Sequence, residues 1–161
     1  MPVIATVGGR CEFATGAAPT GVYNAGQIDV VSWTNDFAFT ISCNTASRVA
    51  VISANGGLKT AAAATDPGYV GLAPYDVTLN LDGNTTATSA TCPVQDLAAG
   101  APTPCSFVGP ATSTQGLRLI GPSVNQTESY LRVSAGAYAG PGTLIAGSYT
   151  DTLIVSIAAA P

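Results

Sequence analysis

The residues capable of chemistry are few, and histidine is not among them. Without an imidazole, Ser-His-Asp and Cys-His arrangements are excluded, and so is any metal site that contains His. A Ser-Lys dyad has only Lys59 to draw on. That residue stands in a Gly/Ala-rich stretch with no nucleophile motif around it, so a solvated lysine is expected. Acid-base work would need two carboxylates from Asp29, Asp36, Asp66, Asp76, Asp82, Asp96, Asp151, Glu12 and Glu128. None of these pairs at a spacing that sequence can connect, and most neighbour turn residues, where Asp bonds its own backbone. Asp82-Gly83-Asn84 lacks the flanking ligands of a calcium loop and reads as a turn. Cys11, Cys43, Cys92 and Cys105 contain neither a C-x-x-C nor a close pair, which disfavours zinc. Two disulfides and an oxidising compartment are expected instead, with three pairings open. Trp33 beside Asn35 and Asp36 is the one candidate sugar contact, since an exposed indole stacks on a carbohydrate ring. A lone Trp near a strand start more often serves a core. The expectation is a protein that is not an enzyme and needs no cofactor or metal.

Composition narrows the class further. Charged residues make up 9% of the chain, against about 25% in an average soluble protein. Gly, Ala, Thr and Ser are abundant, the balance of an exported, assembling or surface β protein, because charge is what ordinarily keeps domains apart. A net charge of -4 with five scattered basic residues argues against nucleic acid, which needs clustered Lys and Arg. The uncharged run 133–150 is long enough to cross a bilayer, but Gly136, Gly140, Pro141, Gly142 and Gly147 break it, so no membrane span is expected. No basic and apolar leader precedes Pro2, so a signal peptide is expected either to have been removed or to lie outside this sequence. Asn125-Gln126-Thr127 fits a glycosylation sequon, which matters only in a eukaryotic secretory route.

The elements that must position these residues are short strands. Val3, Ala5 and Val7 alternate with Ile4 and Thr6 before Gly8 and Gly9, which would act as a hinge or bulge. This is either the first strand of the domain's own sheet or a detachable arm. Phe37, Phe39, Ile41 and Cys43 alternate with small polar residues, and Arg48 to Ser53 is the next strand, ended by Asn55-Gly56-Gly57. The span from Lys59 to Gly71 reads as a loop. Tyr75 to Leu81 forms a hairpin with Thr85 to Cys92 across Asp82-Gly83-Asn84, and Pro93 to Pro110 is loop-like. Gln115 to Ile120, Thr127 to Val133 and Ser148 to Ile157 are the remaining strands. On the last of them Tyr149, Leu153, Val155 and Ile157 share one face with Asp151. A buried Asp151 needs a partner, and Arg132 is the natural candidate. Many short strands and no convincing helix predict an all-β immunoglobulin-like β-sandwich in one domain.

The residues Tyr130, Arg132 and Val133, a Gly/Pro loop, and then Ala146-Gly147-Ser148-Tyr149-Thr150-Asp151-Thr152-Leu153 carry a family likeness. With Cys11 and the segment Phe37 to Cys43, they resemble the spore coat protein U domain family of secreted coat proteins and archaic chaperone-usher pilus subunits. The resemblance implies a Cys11–Cys43 disulfide, leaving Cys92 with Cys105. It also implies that residues 11–161 form an incomplete sandwich lacking its final strand, since only Ala158 to Pro161 follow the last apolar run. Leu153, Val155 and Ile157 would then line an acceptor groove, and residues 1–10 would be an arm donating Val3, Ala5 and Val7 to a neighbouring subunit. A periplasmic chaperone and an outer-membrane usher would assemble the fibre at the cell surface. Ten residues before Cys11 is short for a donor strand. The alternatives are therefore a tip adhesin that accepts a strand without giving one, and a secreted carbohydrate-binding module using Trp33.

Overall fold

Alternating apolar and small polar residues favour strands over helices here. The computed structural model, which describes residues 1–161, accordingly holds fourteen strands and no α-helix. In chain order they are β1 (Cys11–Phe13), β2 (Trp33–Phe39), β3 (Ile41–Cys43), β4 (Ser47–Ser53), β5 (Leu58–Thr60), β6 (Tyr69–Val70), β7 (Leu72–Ala73), β8 (Asp76–Asp82), β9 (Ala87–Pro93), β10 (Leu117–Leu119), β11 (Ser129–Ala135), β12 (Thr143–Leu144), β13 (Tyr149–Thr150) and β14 (Leu153–Ala159). A single 3-10 turn spans Val94–Leu97.

Two antiparallel sheets carry the fold. One has the order β2-β11-β8-β9 and the other β10-β4-β14. The period-2 pattern of the central strands puts Val77, Leu79 and Leu81 of β8 and Leu131 and Val133 of β11 against Val49 and Val51 of β4 in one shared core. At the Asp82 turn, the Gly83 N–H bonds the Thr86 carbonyl at 2.9 Å. The turn carries β8 into β9 with Asp82 opposite Ala87, so the hairpin expected there forms. Gly56 and Gly57 follow β4 with φ of 70° and 151°, conformations that side chains other than hydrogen rarely adopt.

Strand edges depart from expectation at three places. The run from Phe37 to Cys43 is two strands, because at Thr40 the chain leaves β11 and turns to pair with β1. Thr40 marks the corner by exchanging backbone bonds with Ala14 and Ala17 instead. The last strand is also broken. Tyr149–Thr150 pairs with β5, whereas Leu153–Ala159 pairs with β4, and Asp151-Thr152 is the switch between sheets. The span 59–71 is not wholly a loop. It contributes the end of β5 and all of β6, which add to β13 and β7 and to β12 respectively. Two- and three-residue strands have no period to read, so only their neighbours define them.

Two disulfides form, Cys11 with Cys43 at the ends of β1 and β3, and Cys92 near the end of β9 with Cys105 in the loop that follows the 3-10 turn. The first ties β1 to β3 where those residues face each other, and Cys43 is wholly buried. Closing a separation of 32 residues, it constrains the unfolded chain. Replacing Cys11 and Cys43 together by Ala should lower stability by about 3–4 kcal/mol, read from urea unfolding, with a steeper slope because the released unfolded chain exposes more surface.

Candidate functional site, an open groove between two sheet edges

The two sheets close on one side and stay open on the other. On the β9/β10 side Leu81 and Leu119 are fully buried, and a Cβ at Gly83 would meet the Leu119 methyls at 3.2 Å. The opposite side is flanked by β2 and β14, each of which pairs with a single strand. Between these seven-residue edges lies a groove of about 950 Å³. Its walls are Trp33, Phe37, Leu131 and Val133 from one sheet and Leu153 and Val155 from the other, with Leu58 and Tyr75 deeper in. Trp33, Phe37, Leu153 and Val155 are only half-buried, unlike the central strands, so apolar surface is left facing water. An unpaired edge beside such a surface is what soluble folds ordinarily cover.

One end of the groove is closed and the other open. At the closed end Phe13 of β1 meets Phe39 edge to face at 5.8 Å, and β1 lies against β14. Ile157 packs on the core there and does not line the groove, whereas Leu153 and Val155 do. The open end is aromatic. Trp33 stands 5.6 Å from the Tyr75 ring and 6.0 Å from that of Tyr23. Trp33 therefore faces the groove, while Asp36, an odd number of positions along the strand, lies on the outer face. Strand alternation thus removes Asp36 from the expected sugar patch and leaves Asn35 on the same face as Trp33.

Residues 1–7 pair with no strand of the same chain, and Val3, Ile4 and Val7 are 91%, 86% and 81% exposed. Their root is fixed. The Asn44 side chain accepts from the Arg10 N–H at 2.7 Å and donates to the Gly8 carbonyl at 3.1 Å, while its backbone N–H donates to the Arg10 carbonyl. Gly8 and Gly9, expected to be the hinge, are thus held at the domain, and the free segment begins at Val7. Asn44 follows Cys43 with no spacing that would have announced this role.

Asp151 is partnered, though not by Arg132. One of its oxygens accepts from Ser53 Oγ and Tyr75 OH, both at 2.7 Å, and the other from the Asn55 and Thr152 N–H groups. Burial, followed by the hydrogen bond to this carboxylate, pushes the Tyr75 phenol far above its usual range and keeps it a donor. The network fixes the sheet switch and so the start of β14. Asp151→Ala should cost about 2–3 kcal/mol, because Ser53 and Tyr75 are buried and would lose their acceptor. Asp151→Asn keeps an acceptor oxygen and should cost less; urea unfolding of both variants checks the order.

Arg132 pairs instead with Asp36 across the β11/β2 register, through Nε and one Nη at 2.6 and 2.8 Å, and lies over the Tyr130 ring. The Arg132 hydrogen bond holds the Asp36 carboxyl below its usual 3.8. Its contribution to stability is present above that pH and lost as pH falls through the lowered value. With the side chains 44% and 41% exposed, that contribution is small.

No group of three His, Cys, Asp or Glu side chains converges as a metal site, and no helix is long and apolar enough to cross a membrane. What the geometry offers is an apolar groove open to water between two strand edges. Comparison with protein-family models, with characterised proteins and with solved structures gives no match.

Proposed function

We propose that this chain is a structural subunit of an extracellular fibre in which each groove takes a strand from a neighbouring subunit. The observation that carries this reading is that one chain holds both an unfilled apolar groove and an unbound apolar arm. The sizes agree, since seven free residues face seven-residue edges on β2 and β14. An incoming strand would satisfy the outer backbone groups of β14, while Val3, Ala5 and Val7 would enter the groove. Burying each valine contributes about 1.5–3 kcal/mol. The contact is heterologous and does not close, so it propagates into a fibre.

On this reading the fold is an immunoglobulin-like sandwich lacking its final strand. The arm fills the groove of the next identical or related subunit. The resemblance to the spore coat protein U family further suggests delivery by a periplasmic chaperone and an outer-membrane usher. Two disulfides support passage through an oxidising compartment. Size measurement across concentration, with electron microscopy of the native material, tests the reading. Linear polymers that survive mild denaturant are expected. A chain that stays monomeric at every concentration and takes up no peptide of residues 1–10 would overturn it.

A further inference from the structure

Beyond Ala17, whose carbonyl accepts from Thr40, the chain runs antiparallel to β2 without pairing with it. Gly21 lies against Phe37, so that a Cβ there would stand 3.6 Å from the ring, and Tyr23 reaches Trp33. Pro19 has no N–H to give a ladder, and Gly21 has a φ of 136° that an extended strand does not use. Residues 19–23 make no hydrogen bond with either sheet, yet all line the groove. They cover its aromatic end and cannot seal it.

Resting on the strand-accepting reading of the groove, we propose that Pro19–Tyr23 is a displaceable strap. It shields Trp33 and Phe37 in the free chain and moves aside when a strand enters. A true strand at this position would complete a ladder with β2 and compete with the donor through its backbone. A strap held chiefly by one aromatic contact covers apolar surface but yields to a segment that pairs. Tyr23 is the catch, since its ring is what the strap places on Trp33.

The test uses the full chain, below the concentration at which it assembles, and a labelled peptide of residues 1–10 followed by fluorescence anisotropy. Tyr23→Ala should take up the peptide about tenfold faster, equivalent to losing an aromatic contact of about 1.4 kcal/mol. Tyr23→Phe, which keeps the ring, should behave as the parent. Tyr23 is 36% exposed, so both variants should fold, and their melting temperatures check this. The Tyr23–Trp33 ring contact, followed by NMR cross-peaks between the two rings, should be lost when the peptide binds. Uptake at an unchanged or slower rate in Tyr23→Ala, or a ring contact that persists on binding, would make the strap a permanent wall and overturn the proposal with the groove intact. No uptake by any variant would overturn the groove reading and the strap with it.

Discussion

Removing residues 1–7 should abolish self-association while leaving the domain's stability nearly unchanged. These residues have no strand partner and expose their large apolar side chains, so their loss withdraws little from the folded state. The truncated chain still has its groove. A peptide of residues 1–10 at a hundred times its dissociation constant should stabilise it by about 2.7 kcal/mol. For a domain of this size that is a rise of roughly 5–10 °C in Tm. Added to the intact chain, the truncated one should shorten polymers, because it accepts a strand but gives none. Calorimetry and size-exclusion chromatography read both effects. If truncation instead lowered stability by several kcal/mol, the arm would belong to its own domain's sheet.

Val155→Asp should stop assembly at a smaller cost to the fold. Val155 sits opposite Val51 in the β14/β4 register with its side chain lining the groove. In the free chain that position is half-buried, so a carboxylate there keeps part of its hydration, and a loss of about 1–3 kcal/mol is expected. Once a strand fills the groove the same carboxylate is enclosed among apolar side chains with no partner, and the occupied state costs far more. Assembly is therefore lost while the monomer survives. The neighbouring Ile154 is 56% exposed and outside the groove, so Ile154→Asp should leave assembly intact. Equal effects of the two variants in a polymerisation assay would remove the groove from the account.

Much of the fold was legible because strand period is local. The alternation in β8, β11 and β14 set which residues face inward, and Asp151, although it sits at the break before β14, does turn inward to Ser53 and Tyr75. Its partner was misread, although the same rule already held the answer. Leu131 and Val133 point to the core, so Arg132 between them must point out, where β2 presents Asp36. The inner wall of the groove was not legible. Trp33, Leu58 and Tyr75 come from three separate stretches, and only the packing of one sheet on another brings them to Leu153 and Val155. The strap was hidden for the opposite reason. Pro19 and Gly21 are turn signals, and nothing in them says that the segment they interrupt lies along β2.

The fixed root of the arm also sets how a fibre would respond to being pulled. Tension arriving through Val7 meets the Asn44 clamp at Gly8 and Arg10 and then, one residue on, the covalent link from Cys11 to Cys43. From Cys43 it passes into the core through the paired backbone bonds with Ser123. The domain would be gripped at a cross-linked point rather than peeled from a strand end, so the weakest step under force is withdrawal of the seven-residue arm from its groove. Reducing the disulfide would move that weak point inward, to β1, and turn a joint that slips into a subunit that unravels.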